Sequence, residues 1–166
     1  MFALKPISQA SVPSALAKAE RYRLLNEPSE AESICRDVLD VDPKHQQARI
    51  SLVLALTDQI PEDSRAFGEA IANTAHLDDA YDRAYYAGIA WERRARARLH
   101  KGGHDSHHQA YDWIVRAMQL FEQAERLKTE GNDDAVLRWN TCVRMLQEHR
   151  ELGPRAQEAS EAILSE

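Results

Sequence analysis

Residues 15–43 read ALAKAERYRLLNEPSEAESICRDVLDVDP, and they decide the fold. Leu16, Ala19, Tyr22 and Leu25 recur at three-residue spacing, which places them along one side of a helix over about 14–25. Asn26-Glu27-Pro28 interrupts that pattern. Ser29 and Glu32 have the spacing of a capping box, so a second helix is expected to start there. Its apolar side carries Ala31, Ile34, Cys35, Val38 and Leu39, and Asp42-Pro43 ends it. The stretch is therefore a helical hairpin. Alanines stand at the positions where the two helices would approach each other.

The same alternation continues outward. A third helix is expected over about 44–59, with Ala48, Leu52, Ala55 and Leu56 on one side, and Pro61 turns the chain into a fourth over 62–75. A fifth, 79–99, carries Tyr81, Ala84, Tyr85, Gly88, Trp91 and Ala95. A sixth, 107–128, carries Ala110, Trp113, Ile114, Ala117, Met118, Phe121 and Ala124, with Ser106 and Gln109 read as another capping box. Gly131 closes it, Asn132-Asp133-Asp134 caps a seventh over 133–149, and a short, weak eighth is expected over 155–164.

With Pro43 as reference, Ala19, Tyr22, Ala31 and Pro43 fall where the tetratricopeptide repeat places its small, large, small and proline residues. The chain resembles that family, whose unit is a hairpin of about 34 residues. The match is best over 12–45. It degenerates in the second repeat, where Val53 and Leu56 stand at the usual small and aromatic positions. The third repeat is elongated, with Gly88 and Trp91 at the small and large positions. The block from Tyr81 to Arg144 also resembles stretches of bacterial repeat proteins of unassigned function, through Gly131-Asn132-Asp133-Asp134 and Leu137-Arg138-Trp139-Asn140.

The resemblance implies an all-α fold, a right-handed stack of antiparallel hairpins forming a TPR-like α-solenoid of about seven helices. Residues 1–11 would be an extension and 12–152 the helical domain. Within it the repeats span about 12–43, 44–77 and 79–130, with a capping helix at 133–149 and a tail from 153 to 166. It also implies a role. Such repeats hold other proteins, using the first helix of each hairpin as the wall of a groove. Carried onto this chain, the contacting residues include Leu16 and Arg23, Ile50 and Leu54, and Tyr86, Ile89, Glu92 and Arg93. The Lys, Asn and Arg set that clamps chaperone tails is absent from these positions, so the groove suits an amphipathic or extended peptide.

Composition agrees with a folded helical protein. Hydrophobic residues make up 43% and charged residues 29% of 166 positions, with only 6 Gly and 6 Pro. The net charge of -6 disfavours nucleic acid as a partner. No stretch reaches the ~20 apolar residues of a membrane span. The two cysteines, Cys35 and Cys142, read as reduced core thiols, and the expected location is the cytoplasm.

Two clusters invite a chemical reading. His100, His104, His107 and His108 lie close together, with Gly102, Gly103 and Asp105 between them. Imidazoles bind transition metals, so a metal-binding sensor or enzyme is one alternative. The glycines, however, separate His100 from His104, and His107 and His108 point about 100° apart on a helix. No cofactor is therefore expected. Arg93, Arg94, Arg96, Arg98 and Lys101 concentrate positive charge at the end of the fifth helix. They either complement its negative pole or form a docking patch for an acidic partner. No phosphate loop, nucleophile elbow or kinase motif occurs, so no enzymatic activity is expected. The reading reached from sequence is a scaffold or adaptor that binds a protein or peptide. A structural homo-oligomer is the remaining alternative.

Overall fold

The computed structural model describes residues 2–103 and 105–154. Among them the chain forms seven α-helices and no strand: α1 (Val12–Leu24), α2 (Pro28–Val41), α3 (Gln46–Gln59), α4 (Ala66–Thr74), α5 (Ala80–Lys101), α6 (Ser106–Leu127) and α7 (Asp134–Glu148). The expected eighth helix over 155–164 lies outside the described residues.

Each helix packs on the next, and α1 also touches α3, α3 touches α5, and α5 touches α7. One face of the molecule is therefore built from the odd-numbered helices. The small residues of the quoted stretch explain the close packing of α1 on α2: Ala19, Ala31, Cys35 and Val38 are fully buried. Ala19, Ala31 and Cys35 join Leu52, Val53, Ala55, Leu56, Ala70 and Ala90 in one core, while Val38 packs with Val12 and Ala48. A second core holds Ile89, Ala95, Ala110, Ile114, Phe121, Cys142 and Met145. Helix α5 contributes to both, and Tyr86 packs against both.

The longest pair, α5 and α6, has 22 residues in each helix. It closes over Gly88, where an added Cβ would sit 2.6 Å from the buried Phe121 ring.

The helix starts differ from the sequence expectation at several points. Pro28, not Ser29, opens α2, because a proline with fixed φ and no N–H suits the first helical position. No side chain caps it. Glu32 instead accepts from Arg36 Nε at 2.8 Å and from Gln59 Nε2 at 2.6 Å, tying α2 to itself and to α3. Ser106 is likewise the first residue of α6 rather than its cap. Asp105 precedes it with φ 59, and Gln109 accepts from Arg98 Nε rather than reaching back. Helix α3 is capped by His45, whose Nδ1 accepts from Ala48 N at 3.2 Å. At α7 it is Asn132 that accepts from Asp134 N, while Asp133 pairs with Lys128.

Candidate functional site

On the odd-helix face, α1 and α3 leave a groove of about 290 Å³. Its walls are Leu16, Ala17, Glu20 and Arg23 from α1, and Gln47, Ser51 and Leu54 from α3. Apart from the adjacent Leu16 and Ala17, these residues step by three or four on each helix, so they line one side of it. The result is a trough with aliphatic patches and exposed hydrogen-bonding groups.

A charge cluster joins three helices at the α5 side of this trough. Asp58 of α3 accepts from Arg23 Nε at 2.8 Å and also from Arg93 Nη1. Arg93 Nη1 further donates to Thr57 Oγ1 at 2.6 Å and to the Leu54 carbonyl at 3.3 Å. Burial lowers the pKa of Arg93, against the opposing pull of the Asp58 carboxylate. Arg23 and Arg93, expected as partner contacts, are thus committed to holding α1, α3 and α5 together.

The other expected contact residues divide. Leu16 and Leu54 line the groove. Ile50 and Ile89, at 9% and 2% exposure, face the interior and have almost no surface to present. Helix packing on both sides of α3 and α5 takes them in. Tyr86 is half-buried between the two cores, and burial pushes its hydroxyl pKa up to about 12. It acts first as a packing residue.

Glu92 is also buried where the resemblance expected an open wall: its side chain is 1% exposed. Arg96 Nε donates to its Oε1 at 3.0 Å, and Arg138 Nη1 of α7 lies 3.4 and 3.5 Å from its two oxygens. Arg138 therefore reaches across from α7 to α5. Burial lowers its pKa, but Glu92 and the Tyr85 hydroxyl more than offset this, and the net shift is upward. A signal was present: Glu92 lies four residues after Gly88 and three before Ala95, both on the buried stripe of α5.

Further along, α5 and α7 diverge around a cleft of about 510 Å³. Arg96, His100, Arg144 and His149 stand at its sides, with Leu99 and Met145 between them. His100 is thus the one member of the histidine cluster placed here. His107 is exposed, His108 Nδ1 lies 2.9 Å from the Gly153 carbonyl oxygen, and His104 lies outside the described residues. Among the described residues no group of three or more His, Cys, Asp or Glu side chains could hold a metal ion. Both cysteines are buried and unpaired, and burial pushes their thiols up to about 11 for Cys35 and about 12 for Cys142. Such thiols are protonated at neutral pH and are poor nucleophiles.

Among the described residues the fold is all-helical, with grooves between its odd-numbered helices and several of their charged residues paired across helices. No family model, no curated protein and no solved structure matches the chain. No described helix is long and apolar enough to cross a membrane.

Proposed function

We propose that the chain is a non-catalytic interaction module, a short right-handed TPR-like stack of hairpins that serves as a cytoplasmic scaffold or adaptor. It holds an extended or amphipathic segment of a partner protein in the groove between α1 and α3. The observation that carries this reading is the succession of odd helices with an open trough between the first two. Its lining offers aliphatic carbons, the Gln47 amide, the Ser51 hydroxyl and the exposed Glu20 carboxylate, which suit a peptide backbone and its side chains. The complete burial of Ala19 and Ala31, at positions that carry the family resemblance, supports the same reading.

The test is affinity capture from the native host's lysate, read by mass spectrometry, with Ala17→Glu/Ser51→Glu in the groove and Leu127→Asp on α6 as comparison. A protein retained by the parent and by Leu127→Asp, but lost from the groove variant, supports the proposal. Capture that the groove variant leaves intact sinks it.

A further inference from the structure

The opposite side of α5 carries a second, differently built cleft. Arg94 projects between the rings of Phe67 on α4 and Trp113 on α6. Its guanidinium carbon lies 4.1 Å from each ring centroid and 5.3 Å from that of Trp91. The rings in turn brace one another, with Phe67 and Trp91 at 4.7 Å and Trp91 and Trp113 at 6.5 Å. The other α5 arginines are all engaged: Arg83 with the Leu77 and Asp78 carbonyls, Arg93 with Asp58, Arg96 with Glu92, and Arg98 with Gln109 and the Gly102 carbonyl. Arg94 makes no hydrogen bond or ion pair with any described residue. Burial alone acts on its pKa, lowering it, with no carboxylate to oppose that.

A cation held between two rings keeps its position at little entropic expense. Its N–H donors remain on the rim, where a carboxylate can take two of them at once. The space beside it is a cleft of about 350 Å³, walled by Ile60 and Pro61 and flanked by Arg98 and Lys101. Among the described residues that line it, Glu62 carries the one negative charge. Arg94 and Arg98 lie one turn apart, about 6 Å along the helix axis. An extended chain presents every second side chain at roughly 6.6 Å, a close match.

We propose that this cleft is a docking site for an extended acidic segment of a partner protein, with one Asp or Glu carboxylate forked on Arg94 and the next acidic side chain near Arg98 and Lys101. The exposed Pro61 ring receives the intervening aliphatic side chains. A nucleic acid fits less well. Its bases need open aromatic faces, and here the guanidinium occupies the faces of Phe67 and Trp113. The site is separate from the α1–α3 groove and stands whether or not that groove binds a partner.

The test is a fluorescence anisotropy titration of the full chain with a fluorescein-labelled heptapeptide of alternating glutamate and isoleucine. A glutamine version serves as the uncharged probe. The parent is expected to bind the acidic probe at least about tenfold more tightly than the glutamine one, with affinity falling as salt rises. Arg94→Gln is expected to lose about tenfold. Arg94→Lys is expected to lose most of that as well, because an ammonium cannot form the planar fork. Glu62→Gln, which leaves the aromatic packing intact, is expected to tighten binding severalfold, and Ala17→Glu in the other groove to leave it unchanged. Equal affinity for the two probes, full affinity in Arg94→Lys, or tighter binding of a single-stranded RNA oligomer would each overturn the proposal.

Discussion

Glu92 places a carboxylate where the side chain is 1% exposed, and only Arg96 and Arg138 make that tolerable. Removing the charge leaves two guanidiniums with a neutral amide between them. Breaking one partner of a buried pair costs about 3–5 kcal/mol. Both arginines are partly exposed and can turn toward water, so Glu92→Gln is expected near the lower figure, about 3 kcal/mol. Arg96→Gln, at 47% exposure, should cost less than about 1 kcal/mol. Urea titrations at unchanged slope report both values. Equal costs for the two variants would mean that Glu92 is solvated in solution. Its place on the buried stripe of α5 was legible in the sequence, but its compensating partner was not, because Arg138 lies 46 residues away. The buried cysteines add a pH dependence. Both thiols titrate near 9.0 when unfolded and are pushed up to about 11 and about 12 by burial. Below pH 9 both states are protonated and this contribution is fully present. As pH rises above 9 the unfolded thiols ionise first, so stability falls up to the folded values. The urea midpoint should therefore drop between about pH 8 and about pH 10.5, and drop less in Cys142→Ala, which lacks one titrating group. A variant with the same pH slope as the parent would refute the assignment to the thiol.

At the level of helices, two glycines make opposite predictions. Gly68 lies in α4 with nothing within 4 Å of an added Cβ, whereas Gly88 in α5 faces the Phe121 ring at 2.6, 2.8 and 3.0 Å. Alanine improves helix propensity by about 0.8–1.0 kcal/mol at either site. At Gly68 nothing opposes that gain, so Gly68→Ala should stabilise by up to about 1 kcal/mol. At Gly88 a fully buried ring must move, and overpacking costs about 1–3 kcal/mol, so Gly88→Ala should be destabilising on balance. Thermal melts of the pair decide it, and a stabilised Gly88→Ala would show that α5 and α6 are farther apart than described. Helices of this kind were legible in the sequence because their apolar spacing and small residues are local signals. Their starts were less so. Residues 62–65 were read as helical, yet Asp63 Oδ1 accepts from Arg65 N at 2.8 Å and holds the chain in turns until Ala66. That bond competes with the helix and leaves no periodic trace. The His45 cap was missed for a related reason: histidine is an uncommon cap, and its role depends on the ring orientation.

For the molecule as a whole, α5 is the joint. Ala90 belongs to the core shared with α1–α4, Ile89 and Ala95 to the core shared with α6 and α7, and Tyr86 touches both. The first hairpin foretold helices packed each on the next, but not this division, because a helix that serves two cores shows only a broad apolar face. The Asp58 cluster spans α1, α3 and α5 on the same joint. Helices that pack in chain order touch mainly their neighbours, so cooperativity must pass through such shared residues. Removing the Tyr86 ring should lower stability by about 3 kcal/mol, the low end for a large aromatic since it is half-buried. It should also separate the two halves. Trp91, Trp113 and Trp139 all pack against the second core, so tryptophan fluorescence follows that half, while far-UV circular dichroism follows every helix. In the parent the two urea curves should coincide, as a single cooperative unit requires. In Tyr86→Ala the dichroism should begin to fall at lower urea than the fluorescence. The first core then loses its hold on α5, while the long α5–α6 pair keeps the second intact. Coincident curves in the variant would show that coupling runs through the Asp58 cluster rather than through Tyr86.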